Sequence, residues 1–284
     1  MNNSIIVTTF LPMLVSTIMF SLGLTLRRED FVRVWKMPKA VLVGLAIKLV
    51  LLPLIAFGLC HLFATGPQLS VGLMMLAAAP SGAMANLFSR IAKADVALSL
   101  CLTAIDNILT AVTLPLYVAI SFHYFMGESQ QIGLQFDESV KIFALILVPV
   151  FLGMTFQNRF PELAVKVDKV LRIVSILVLI VLVMGVFLSN RELLIHHYRE
   201  LTAVVLIFNL CCFILGYLLA QTVGLSFAQS KSIAMAMGVQ GTALVATIAI
   251  TFLDDVIFAM PAAFFSLSMY SFAGLSVLVF SRLR

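Results

Sequence analysis

The sequence predicts an all-α polytopic membrane protein, about nine transmembrane helices arranged as inverted repeats. Three observations predict it. Of 284 residues, 62% are apolar and 11% charged, and the mean hydropathy is +1.13. Soluble domains run about 45–50% apolar and about 25% charged, so this chain cannot cover itself with polar surface and lipid must solvate much of it. Its apolar runs recur at the length of one bilayer crossing. Two of those runs are interrupted mid-way by helix-breaking residues, at matching places in the order.

The runs lie at about 4–25, 40–63, 70–91, 95–125, 138–160, 170–189, 201–223, 229–253 and 257–281. Each is long enough to cross about 30 Å as a helix rising about 1.5 Å per residue. No basic residue precedes the first run. It exceeds the roughly 7–15 residues of a signal-peptide core, so it reads as a retained span. The second carries Lys48 inside GLAIKLVLLPL. The third contains LAAAPSGAMANLFSR, with Pro80, Ser81 and Gly82 at mid-depth. The fourth is long enough to include an interfacial tail. The eighth contains MAMGVQGTALVAT, with Gly238, Gln240, Gly241 and Thr242 at mid-depth. Breaking a helix there frees backbone groups that must find partners inside the protein. Small residues also serve simple close packing of helices, but a matched pair of interrupted spans points to a transporter site between inverted repeats. Spans 2–4 and 7–9 are the matched units.

Lys/Arg asymmetry orients the chain. With the N-terminus outside, the inner segments hold Arg27, Arg28, Arg33, Lys36, Lys39, Arg90, Lys93, Arg159, Lys166, Lys169, Arg172, Lys231, Arg282 and Arg284. The outer segments hold Lys141, Arg191 and Arg199, a ratio of 14 to 3. The expected location is the plasma (inner) membrane, multi-pass, with the C-terminus cytoplasmic. The net charge of +5 therefore reflects orientation and does not call for nucleic acid. Cys60, Cys101, Cys211 and Cys212 sit in apolar runs without metal-ligand spacing and read as small apolar residues. His61, His123, His196 and His197 fall near outer ends and read as interfacial, as does Trp35 in the first inner loop.

Three ordered blocks resemble the bile acid:sodium symporter family across nearly the whole chain: SLGLTLRREDFVRVWKMPKAVLVG, APSGAMANLFSRIAKADVALSLCLTAIDNILTAVTLPLY and KSIAMAMGVQGTALVATIAI. The resemblance implies a panel domain and a core domain, with two broken helices crossing in the core near the midplane. The core would use 40–125 in part and 201–284, and the panel 4–63 in part and 138–189, within one transmembrane domain 1–284. Sodium and organic anions would bind near the crossover.

Ionisable residues at membrane depth are functional candidates, and Lys48 and Asp106 are two. Lys48 lies about nine residues into its span, roughly 13 Å deep, a depth from which a lysine could still snorkel. Ser99, Thr103 and Asp106 (or Asn107) share one helix face by spacing, and their oxygens suit a hard cation. By the resemblance, Asn86, Ser99 and Thr103 match the family's first sodium site and Gln240 a ligand of the second. Ala85 stands where that first site has a serine, Ala236 where the family has a shared acid, and Lys48 where it has a glutamine. An ammonium and a sodium ion about 4 Å apart repel by several kcal/mol at intermediate dielectric. Lys48 is therefore expected to replace the second sodium as a tethered cation. Asp106 would return a negative charge near the first site, as sodium ligand, partner of Lys48, or both in turn.

The cation-binding or cation-mimicking set is thus Lys48, Asn86, Ser99, Thr103, Asp106 and Gln240, with a sodium site at Asn86, Ser99, Thr103 and Asp106. Pro80, Ser81, Gly82, Asn107, Gly238, Gly241 and Thr242 are the substrate candidates. The expected function is secondary active transport of an organic anion: bile-acid-like, or a small carboxylate such as pantoate or a keto acid. At most one sodium ion would move with it, and no cofactor is expected. Proton coupling through Lys48 or Asp106, whose charged forms burial disfavours, and ion-independent transport stay open. So does a transport-inactive sensor or interaction subunit. No HExxH, nucleophile elbow or paired intramembrane carboxylates suggest an enzyme.

Overall fold

A computed structural model describes residues 11–26, 33–82, 84–127, 136–171, 173–174, 177, 191–253 and 255–282. The described elements are helical. They run α1 (Leu11–Thr25), α2 (Pro38–Ala46), a π-helical turn (Ile47–Leu51), α3 (Leu52–Leu62), α4 (Pro67–Ala77), α5 (Met84–Ile91), α6 (Val96–Met126) and α7 (Phe136–Arg159). After α8 (161–171) come α9 (Arg191–Thr222), α10 (Phe227–Gly238), α11 (Thr242–Phe252), a 3-10 turn (Val256–Ala259) and α12 (Met260–Arg282).

Among the described residues, four helices are long and apolar enough to cross a membrane: Pro38–Leu62, Val96–Met126, Leu201–Thr222 and Val256–Arg282. These are the second, fourth, seventh and ninth predicted spans. The fourth is one continuous helix, about 46 Å long at about 1.5 Å per residue. The third and eighth spans are each two short helices, α4/α5 and α10/α11, neither half of which reaches across alone. The sixth span, 170–189, lies largely outside the described residues, as do Arg27, Arg28, Arg172 and Arg284 of the orientation argument.

Local chemistry sets the ends. Pro80 has no N–H and biases Ala79 away from the helical region, so α4 stops just before it. Asp95 caps α6 by accepting from the Leu98 N–H at 3.0 Å, and Ser226 with Gln229 forms a reciprocal capping box on α10. The π turn precedes Pro53, which cannot donate to the carbonyl of Leu49 four residues back. The Tyr117 hydroxyl of α6 donates to that carbonyl instead.

Packing repeats across the two matched units. α3 lies on α4 as α9 lies on α10, α4 on α12 as α10 on α6, and α2 on α6 as α9 on α12. α1 packs along α7 and also touches α11. A Cβ on Gly153 would lie 2.4 Å from the Phe20 carbonyl oxygen and 2.8 Å from the Gly23 Cα, so only glycine allows the two backbones this close. Large apolar side chains such as Leu54, Leu62, Leu116, Leu267 and Leu278 face outward, as lipid-facing positions should. Trp35 is exposed, Cys60, Cys101 and Cys212 are buried, and Cys211 is half-buried.

Candidate functional site

The two interrupted helices cross at their breaks. The Gly82 N–H donates to Val239 O at 2.8 Å and the Gly241 N–H to Pro80 O at 2.7 Å, with Ser81 and Gln240 paired as an antiparallel bridge. The backbone groups freed by each break thus satisfy those of the other, as lipid depth requires. Gly238 makes room beside the crossing: a Cβ there would sit 2.2 Å from the Phe213 ring.

Asp106 reaches this crossing from α6. Its Oδ2 accepts from both the N–H and the hydroxyl of Ser81, each at 2.7 Å. Asp106 is therefore tied to the break and makes no hydrogen bond to the Asn86 group. That group is a separate cluster. Asn86 Oδ1 accepts from Ser99 Oγ at 2.8 Å and Thr103 Oγ1 at 3.3 Å, Ser89 donates to Ser99 at 3.0 Å, and Asn107 donates to Thr103 O at 2.7 Å. The cluster offers neutral oxygens of the kind hard cations take. Ala85 and Ala236, both wholly buried, add none.

Lys48 sits on the π turn, 2% exposed, so it does not snorkel. Its Nζ has no hydrogen-bond partner among the described residues, and Asp106 lies within electrostatic reach. Gln240 donates to Met237 O at 3.1 Å and touches Cys212 Sγ at 3.8 Å. The buried acceptors Asp106 Oδ1, Asn107 Oδ1 and Gln240 Oε1 are likewise unpartnered. Orphaned buried polar groups are rare in native folds and mark functional sites. Gln240 and Cys212 are in contact, and Lys48 and Asp106 lie within electrostatic reach of one another. A cation beside an ammonium is repelled, whereas the Asn86 cluster presents uncharged oxygens.

In front of the crossing lies a cavity of about 140 Å³, walled by α1, α8, the crossing and α12. Pro80, Ser81, Gly82, Gly241 and Thr242 line it, as does Gln240; Asn107 and Gly238 do not. The first turn of α11 and the start of α5 face it, bringing the partial positive charge of two helix N-termini. Among the lining residues outside the sequence candidates, Ser21 and Asp168 are joined by a 2.8 Å hydrogen bond. A serine within an apolar span was a usable signal for Ser21. Asp168, one charge in a basic loop, offered none.

The sodium bile acid symporter family profile matches residues 12–197. The chain belongs to the sodium bile acid symporter family. Its relatives extend the likeness into the second repeat. The uncharacterized sodium-dependent transporter YocS of Bacillus subtilis is 28% identical over 260 residues, covering 92% of this chain and 79% of that protein. The human ileal sodium/bile acid cotransporter is 27% identical over 246 residues, 86% of this chain and 70% of that one. The probable chloroplastic sodium/metabolite cotransporter BASS1 of Arabidopsis thaliana is 24% identical over 246 residues, 86% of this chain and 60% of that one. As a symporter-family member, the chain is a multi-pass membrane transporter.

Proposed function

We propose that this family member carries a small organic anion by alternating access, with at most one sodium ion, because Lys48 stands in for a second. The observation that carries the reading is the buried Lys48 Nζ, without a hydrogen-bond partner among the described residues and within electrostatic reach of Asp106, which is bound to the break at Ser81. The anion would bind in the cavity against the N-termini of α5 and α11. Lys48 would add a fixed positive field from behind. Asn86, Ser99 and Thr103 would hold the one mobile cation, and Asp106, through Ser81, would couple the cation region to the crossing.

The size of the cavity favours a small carboxylate over a bile-acid-sized ligand. At about 140 Å³ it is close to an engineered cavity of about 150 Å³ that takes up benzene. The helices α1, α7 and α8 would act as the panel that rocks against the core around this site. The N-terminus would lie outside and the C-terminus in the cytoplasm of a plasma (inner) membrane protein, a reading the basic inner segments support.

Uptake by proteoliposomes containing the full chain, with and without sodium and pH gradients, tests the reading. Sodium-stimulated uptake of a small carboxylate that follows one sodium per anion supports it. Uptake driven by pH alone would assign the coupling to a proton, equal uptake in all conditions would leave ion-independent transport, and no uptake of any anion would favour a transport-inactive subunit.

A further inference from the structure

The cavity has a second polar wall opposite the crossing. Ser21, at 8% exposure, and Asp168 stand on α1 and α8, and the Ser21 hydroxyl donates to Asp168 Oδ1 at 2.8 Å. We infer that Asp168, oriented by Ser21, is a specificity-determining residue that selects small monocarboxylates carrying a hydrogen-bond donor and rejects a second carboxylate. The inference rests on the cavity being the anion site.

The chemistry runs in three steps. The crossing wall presents helix N-termini, which favour a carboxylate. The facing wall presents a carboxylate, an acceptor with a negative charge. Asp168 has other contacts as well, and a carboxylate with about four lone-pair sites can hold those and a ligand donor together. A ligand filling the cavity therefore meets the Asp168 carboxylate beyond the groups that hold its own carboxylate. A hydroxyl or ammonium adds a hydrogen bond to it, a methyl adds none, and a second carboxylate is repelled by Asp168.

The test is binding to the purified full-length protein in detergent, by calorimetry. The probes are butyrate, succinate, and butyrates substituted at position 3 or 4 with a hydroxyl or an amino group. Hydrogen bonds to charged groups imply that the better hydroxy or amino probe binds roughly tenfold tighter than butyrate, with succinate weakest. Which of the two donors binds tighter identifies the preferred one. Asp168→Asn should bring the donor preference to within about threefold and improve succinate relative to butyrate. A merely structural role would not produce that gain. Ser21→Ala, which keeps the charge but frees its orientation, should weaken the donor preference without admitting succinate. Wild-type protein that binds butyrate as tightly as every donor probe would overturn the inference while leaving the transport reading in place. An unchanged preference in folded Asp168→Asn would do the same, and if that variant does not fold, an unchanged preference in Ser21→Ala decides it. Binding of none of the probes would overturn both.

Discussion

A buried ammonium with no hydrogen-bond partner is a destabilising group, and a protein keeps one only where it serves a purpose. Lys48 is 2% exposed with an unpartnered Nζ, while Asp106 holds two hydrogen bonds from Ser81 and leaves Oδ1 free. Removing one member of a buried charge pair strands the other and costs roughly 3–5 kcal/mol, while replacing both with neutral groups is often neutral or stabilising. Asp106→Asn should therefore lower the melting temperature of the purified protein most, since it leaves the ammonium with no counter-charge. Lys48→Met should cost less, because Ser81 still serves the carboxylate. The double variant should melt at or above wild type, and none of the three should support concentrative uptake. A double variant less stable than both singles would show that the two charges do not compensate one another. Ser81→Ala removes one of two donors to Asp106 and should cost about 1–3 kcal/mol, read as a drop in melting temperature that vanishes in the Asp106→Asn background.

Elements answer to the bilayer, and this made most of them legible in the sequence. Runs of about 20 apolar residues have one stable form in lipid, a helix. Pro80 and Gly241 marked the breaks because helix breakers at mid-depth need partners. The π turn at Ile47–Leu51 was not legible, because its cause is split between Pro53 and a distant hydroxyl, Tyr117. Tyr117→Phe should leave the Leu49 carbonyl unpaired at about 1–3 kcal/mol, visible as a lower melting temperature. The α1–α7 contact was hidden for the same reason: Gly23 and Gly153 lie far apart in the chain and meet only in the fold. In Gly153→Ala the new methyl would press on backbone atoms at 2.4 and 2.8 Å, which cannot rotate away as a side chain could. Overpacking of this kind costs about 1–3 kcal/mol. The expected result is a lower melting temperature with α1 and α7 wedged apart, and unchanged stability would show that the helices slide freely.

At the scale of the whole molecule, the cost of each transport cycle depends on the net charge that moves. In the sequence, a shared helix face grouped Ser99 and Thr103 with Asp106, and the family resemblance added Asn86. The sequence could not tell that Asp106, one turn further along the same face, would turn to Ser81 instead. That difference matters for charge. On the proposed reading Lys48 and Asp106 are fixed charges of opposite sign, so they cancel and do not travel. The Asn86 cluster is neutral and contributes nothing. For a singly charged anion such as 4-hydroxybutyrate, the moving charge then depends only on how many cations go with it. A membrane potential is worth about 2.3 kcal/mol per elementary charge per 100 mV, or roughly fiftyfold in an accumulation ratio. With two sodium ions, an inside-negative potential set by potassium and valinomycin would accelerate uptake; with no cation, it would oppose it by the same factor. With one sodium ion the load is neutral, and the expected result is uptake that needs sodium but does not respond to the potential. Acceleration by the potential would mean that Lys48 does not displace a second cation, and Lys48→Gln would then leave the response unchanged. If Lys48 does displace one, the same variant, where it still transports, should become newly sensitive to the potential as a second sodium enters the place that the ammonium held.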